Sequence, residues 1–216
     1  MTPRALLFSL RGTLPVLDLD GERIVDSTKI IEALEQRYPE HPLYPPAGDG
    51  RRRALELEEF FDEHAGHELR RAAFYDLRGD PDYVSAFLTT GRGARTRRLF
   101  RRVLSLPGSM AYANRRYRLN AADAERARAM LVVALDRIAA ETGPDGYLVG
   151  SRFSVADLTA AALLFPLALP AELQYDYPDP PDWPLMRSLQ SHPAVDWIRG
   201  IYSRHRGHSM EMTRSP

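Results

Sequence analysis

Hydrophobic positions follow two different periods along the chain. Near the N-terminus they form short runs, Leu-Pro-Val-Leu at 14–17 and Arg-Ile-Val at 23–25, on either side of "DLDGE". Asp20-Gly21 is a strong hairpin signal, because glycine accepts the positive φ that a two-residue turn needs. The pattern predicts two short antiparallel strands. The period then lengthens: Ile30, Ile31, Leu34 and Tyr38 recur at helical spacing behind Asp26 and Ser27, which can cap a helix, and Pro39 ends it. A hairpin and one helix do not make a stable domain by themselves, so these forty residues read as part of a larger unit.

Residues 39–50, "PEHPLYPPAGDG", hold four prolines and two glycines without apolar periodicity, the composition of a linker or a pinned loop. Beyond it no strand is expected. Ala54, Leu57, Phe60, Phe61, His64, Leu69 and Ala72 predict one helix over 51–75, and a weaker one falls near 82–89. Residues 92–118 read as helical with a break at Pro107-Gly108. Asn120 caps a longer helix whose stripe is Ala124, Ala127, Leu131, Leu135 and Ile138, and "ETGPDG" stops it. Helices near 154–169, 182–190 and 191–206 complete the chain. The expected division is 1–45, 46–206 and a flexible tail at 207–216. The fold class is α+β, a small β-hairpin-plus-helix domain followed by an all-α bundle.

In "FSVADLTAAALL", residues 153–164, Ser154 at the N-cap and Asp157 three residues on match a capping box with Asp replacing the usual Glu or Gln. Phe153 and Leu158 occupy the positions of a hydrophobic staple. The role assigned to Ser154 and Asp157 is structural.

Composition narrows the functions. The chain has 216 residues, 29 basic and 29 acidic side chains and no cysteine. No global field favours nucleic acid or an anionic membrane. Disulfides, thiolate metal sites and a cysteine nucleophile are excluded within these residues. The first ten residues lack a signal-peptide core, and no window approaches the roughly 20 apolar residues of a bilayer span. A cytoplasmic location is expected. Six arginines crowd "GRGARTRRLFRR" at 91–102, read as a solvated helix face rather than a nucleic-acid patch. His64 and His67, three apart beside Glu63 and Glu68, show no third ligand set, so no metal is expected.

Two stretches carry a family resemblance. "GTLPVLDLDGERIVDSTKIIEALEQRYPEHPLYP" resembles the second half of the thioredoxin-like domain of glutathione S-transferases, and "YLVGSRFSVADLTAAALLFPL" resembles the capping-box helix of their helical domain. The likeness is strongest over 12–46 and 147–166. It implies that the Leu14 backbone and Pro15, at the family's cis-proline position, hold the cysteinyl part of glutathione. It implies also that Asp26 meets the ammonium group of the γ-glutamyl end and that Ser27, with the helix N-terminus, meets its carboxylate. In the family the first long helix lines the electrophile pocket, where Phe74 and Tyr75 would contribute.

Family members place a strand–helix–strand unit ahead of this hairpin, and its first loop carries the Tyr, Ser or Cys that stabilises the thiolate. Such a unit takes roughly 30 or more residues, and thirteen precede Leu14. Ser9 lies too close to Pro15 to occupy that loop, so no catalytic residue is named. The expectation is therefore a glutathione transferase-like protein with glutathione as co-substrate. It conjugates hydrophobic electrophiles if the native protein carries the missing unit. The alternative is a non-catalytic binding or scaffolding protein of the same fold. A homodimer is implied by the resemblance; nucleic-acid and membrane partners are not expected.

Overall fold

The structure is a computed structural model of the chain, and residues 15–207 are described. The chain divides into two units, one ending at Arg51 and one beginning at Arg52.

In the first unit, β1 (Val16–Leu19) pairs antiparallel with β2 (Glu22–Val25), with Val16 opposite Val25 and Leu19 opposite Glu22. The first strand begins two residues later than its apolar run predicts. The turn explains the shift: Asp20 and Gly21 both take positive φ, 52° and 86°, the type I′ geometry that fixes the register by joining residues 19 and 22. Helix α1 (Ser27–Arg37) follows directly and Tyr38 caps its end. Its apolar face is only half-covered, with Leu34 36% exposed.

The proline-rich segment is a pinned loop. The backbone amides of Leu43 and Tyr44 both donate to Glu35 Oε1 on α1, Tyr44 at 2.7 Å, and the Arg51 guanidinium lies 4.9 Å above the Tyr44 ring. Glu35→Ala strips both amides of their charged acceptor, at a cost of about 1–2 kcal/mol. Limited proteolysis within residues 39–50 quickens accordingly; an unchanged cleavage rate would mean that the prolines alone hold this loop.

The second unit is all helical: α2 (Asp49–Phe60) enters it, then α3 (His67–Asp76), α4 (Pro81–Leu88), α5 (Ala94–Leu104), α6 (Pro107–Tyr117), α7 (Ala121–Glu141), α8 (Val155–Ala168), α9 (Pro184–Leu189) and α10 (Pro193–His205). Its core is built where α3 packs on α7, and where α8 packs on α10 and on the segment before α3. Leu57, Phe61, Leu131, Leu135, Leu164 and Ile198 are fully buried there.

The single helix expected over 51–75 is broken by a π-helical turn, Phe61–Gly66. Leu57, Phe61, Ala65 and Leu69 are all buried, and each is four residues from the next. On a straight α-helix a four-residue step overshoots one turn by about 40°; the wider π turn cancels that drift and keeps all four on the core. His64, expected on the apolar stripe, is exposed instead.

Asn120 caps α7, its side chain accepting from the Asp123 amide at 2.9 Å. At the start of α8, Ser154 and Asp157 close a capping box, and both are buried. The Ser154 amide and hydroxyl each donate to Asp157 Oδ2 at 2.8 Å, and the Leu148 amide donates to Oδ1 at 2.8 Å. The carboxylate therefore ties the 148 loop to the helix as well as capping it. Phe153 stacks on His205 of α10, ring centroids 4.2 Å apart.

Candidate functional site

At the entrance to α1, backbone strain and an exposed carboxylate coincide. Asp26 sits at φ 89°, ψ 126°, a region that side-chain-bearing residues rarely occupy. Strain of this kind costs of order 1–3 kcal/mol and concentrates at ligand clamps. Its Oδ1 accepts the first-turn amides of Thr28 at 3.1 Å and Lys29 at 3.4 Å. Both bonds use one oxygen, and among the described residues no bond to Oδ2 is seen. Ser27 is the first helical residue, exposed like Asp26, and brings a hydroxyl and an amide to the positive end of the helix dipole. Pro15 is exposed immediately before β1; Leu14 lies outside the described residues. The strained φ at Asp26 has no signal in composition or period, and sequence reasoning missed it.

Two adjoining apolar cavities are lined by described residues of the helical unit. One, of about 270 Å³, is lined by α3, α4 and α8, with Phe74, Phe87, Phe165 and Trp183 in its walls. Phe87 stacks parallel to Phe165 at 6.4 Å and packs against Tyr177 at 4.9 Å. Gly66 of the π turn completes the wall at a place where a Cβ would lie 2.9 Å from Leu163 Cδ2. Polar groups are few. The Arg70 side chain and the Tyr83 phenol reach the cavity, and burial, with Asp80 adding to it, pushes that phenol above its ordinary pKa, so it is a neutral donor. The Trp183 indole donates to Asp76 Oδ2 at 2.8 Å.

The second cavity, of about 470 Å³, shares Phe74, Leu77, Val84 and Leu88 with the first and is closed by α5 and α6 through Val103, Leu104 and Tyr112. Phe74 thus lines both. Tyr75 lines neither; its ring carries the Arg78 guanidinium at 3.9 Å.

His64 and His67 do not converge. His64 packs on Phe60, and His67 Nδ1 lies 3.2 Å from the Asp62 carbonyl. Among the described residues no group of three or more His, Cys, Asp or Glu is placed to hold a metal, and no helix is long and apolar enough to cross a membrane.

Residues 3–42 match the family model of the glutathione S-transferase N-terminal domain. No curated protein matches the chain in sequence. Among solved structures, a glutathione S-transferase from Rhodospirillum rubrum F11 is similar over 100% of this chain and 80% of its own, at 21% identity and a TM-score of 0.55. Another, from Methylobacterium radiotolerans in complex with glutathione sulfonate, is similar over 100% and 82%, at 18% identity and 0.53. The β-etherase LigF from Sphingobium sp. strain SYK-6 is similar over 91% and 82%, at 18% identity and 0.52. Residues 3–42 therefore carry the sequence pattern of a glutathione S-transferase N-terminal domain, and the chain over its length is similar in fold to glutathione S-transferases.

Proposed function

We propose that the protein binds glutathione at the start of α1 and transfers it to a hydrophobic electrophile held in the helical unit. The observation that carries this reading is the strained Asp26, which spends one carboxylate oxygen on its own helix and keeps the other for a ligand ammonium. Ser27 and the helix N-terminus suit the α-carboxylate of the same γ-glutamyl group. Pro15, immediately before β1, with the backbone of Leu14 ahead of it in sequence, is assigned to the cysteinyl segment in this reading. Support from outside the chain comes from the Methylobacterium relative, which holds glutathione sulfonate. An aromatic-walled cavity of about 270 Å³ suits an apolar, ring-containing co-substrate.

Glutathione supplies the nucleophilic sulfur when bound. The residues named here bind and orient it and do not ionise its thiol, a task the family gives to an earlier loop. A cytoplasmic location and a homodimer belong to the same reading.

Asp26→Asn separates ligand binding from helix capping. Asparagine caps about as well as aspartate but offers no charge to an ammonium. By calorimetric titration the variant loses roughly tenfold or more in glutathione affinity, the effect of one charge-assisted hydrogen bond, while its thermal unfolding is unchanged. Full affinity in Asp26→Asn would remove the glutathione site from this position. Tight binding without turnover of any aromatic electrophile would favour the non-catalytic alternative.

A further inference from the structure

The basic residues of this neutral chain are not spread evenly. Between Tyr83 and Ala122 stand nine arginines and no Asp, Glu or Lys, so the rest of the chain carries an acidic excess. That stretch includes α5 and α6. Among the described ion pairs only two of the nine take part, Arg101 with Asp82 and Arg118 with Asp123.

On α5 the arginines and the aliphatic residues are sorted by face. Leu104 lines the 470 Å³ cavity together with Val84 and Leu88 of α4, and Val103 stands at its rim, so one edge of the helix is committed to the protein and Val103 borders both faces. Arg95, Arg98, Leu99, Arg102 and Val103 fall at i, i+3, i+4, i+7 and i+8, and therefore share another face. All five are exposed; Leu99 is 65% and Val103 46% exposed, and Leu106, just beyond the helix, is 57% exposed. A solvated face has no use for three open aliphatic side chains between guanidinium groups.

We propose that this outward face of α5, with Leu106, docks on an anionic phospholipid surface. The three arginines meet lipid phosphates, and Leu99, Val103 and Leu106 enter the boundary between headgroups and acyl chains, the arrangement of an interfacial amphipathic helix. A nucleic acid would take the arginines but leave the aliphatic residues in water. A second copy of the same face is repelled by like charge. Because the opposite edge of α5 closes the 470 Å³ cavity, docking brings that apolar space to the phase where hydrophobic small molecules concentrate. The proposal does not depend on the glutathione reading.

The full chain is mixed with vesicles of phosphatidylcholine alone or of phosphatidylcholine with phosphatidylglycerol, and bound protein is separated by flotation. Binding is expected only with phosphatidylglycerol and weakens as salt is raised. Arg95→Gln/Arg98→Gln/Arg102→Gln lowers partitioning by about 100-fold, from the usual contribution of a cation near such a surface. Leu99→Ser/Leu106→Ser lowers it by about tenfold with the charge intact. Arg95, Arg98, Leu99, Arg102 and Leu106 are all exposed, so both variants keep the wild-type helical circular dichroism. Equal binding to both vesicle types, or binding to neither, overturns the proposal. So does wild-type vesicle binding by Leu99→Ser/Leu106→Ser, or a preference of the chain for an oligonucleotide over the anionic vesicles in competition.

Discussion

Asp157→Ala lowers stability by about 3 kcal/mol, and with it the melting temperature by roughly 6–12 °C for a chain of this length. Three donors converge on this carboxylate, from the Leu148 amide, the Ser154 amide and the Ser154 hydroxyl. The side chain is fully buried. Alanine leaves the two amides without acceptors where water does not reach, at about 1–3 kcal/mol each, less the burial cost that the charge itself carried. Asp157→Asn keeps one acceptor oxygen and turns an amide N–H towards the other donor, so its loss is nearly as large.

The pH dependence distinguishes this group from an ordinary cap. Burial pushes the Asp157 carboxyl above the usual carboxylate range, although its hydrogen bonds to Leu148 and Ser154 pull the other way. A raised native pKa means that the folded state binds the proton more tightly than the unfolded chain does. The corresponding stability is fully present below the unfolded carboxylate pKa and is lost as pH rises through the native value. The gap between wild type and Asp157→Ala, measured by denaturant unfolding across the acid range, is therefore widest at the lowest pH and narrows upwards. A gap that widens with rising pH would show that the hydrogen bonds outweigh burial.

Secondary structure was legible wherever one local signal sufficed. Asp20-Gly21 announced its turn, Pro107-Gly108 its helix break, and Asn120 its cap, each because a single residue type meets a specific backbone need. The π turn at Phe61–Gly66 was not read, since its signal is a run of four-residue spacings that a helical template accepts with small errors. At the candidate site, the residue types at 26 and 27 were visible as a cap. The strain on Asp26 was not, because it follows from how a strand must turn to enter a helix. The cavity walls were hidden for another reason: Phe74, Phe87, Phe165 and Trp183 come from four separate segments, and no periodicity within one segment reports on another. The same holds for Glu35 and the loop it pins, where donor and acceptor are eight and nine residues apart.

The ties of Asp76 lie still further apart in sequence, and their removal should have a comparable effect. At the end of α3, Asp76 accepts from Arg128 of α7 and from the Trp183 indole just before α9, so one carboxylate joins three segments. Asp76→Ala strands both donors. Losing one partner of a buried ion pair costs about 3–5 kcal/mol; the lower end applies here, because the Arg128 side chain is 28% exposed and keeps Glu125 at 2.8 Å. Asp76→Asn retains one acceptor and loses about 1–2 kcal/mol. The functional consequence passes through Trp183, which is 4% exposed and lines the smaller cavity. Freed from its acceptor, the indole relaxes towards solvent, so tryptophan emission shifts to the red and an apolar fluorophore binds the cavity more weakly. Trp197 supplies an internal reference, since its indole donates to the Gly146 carbonyl at 3.0 Å and is untouched by the change. If Asp76→Ala unfolds like Asp76→Asn with emission and fluorophore binding as in wild type, packing against the cavity walls rather than the carboxylate holds Trp183.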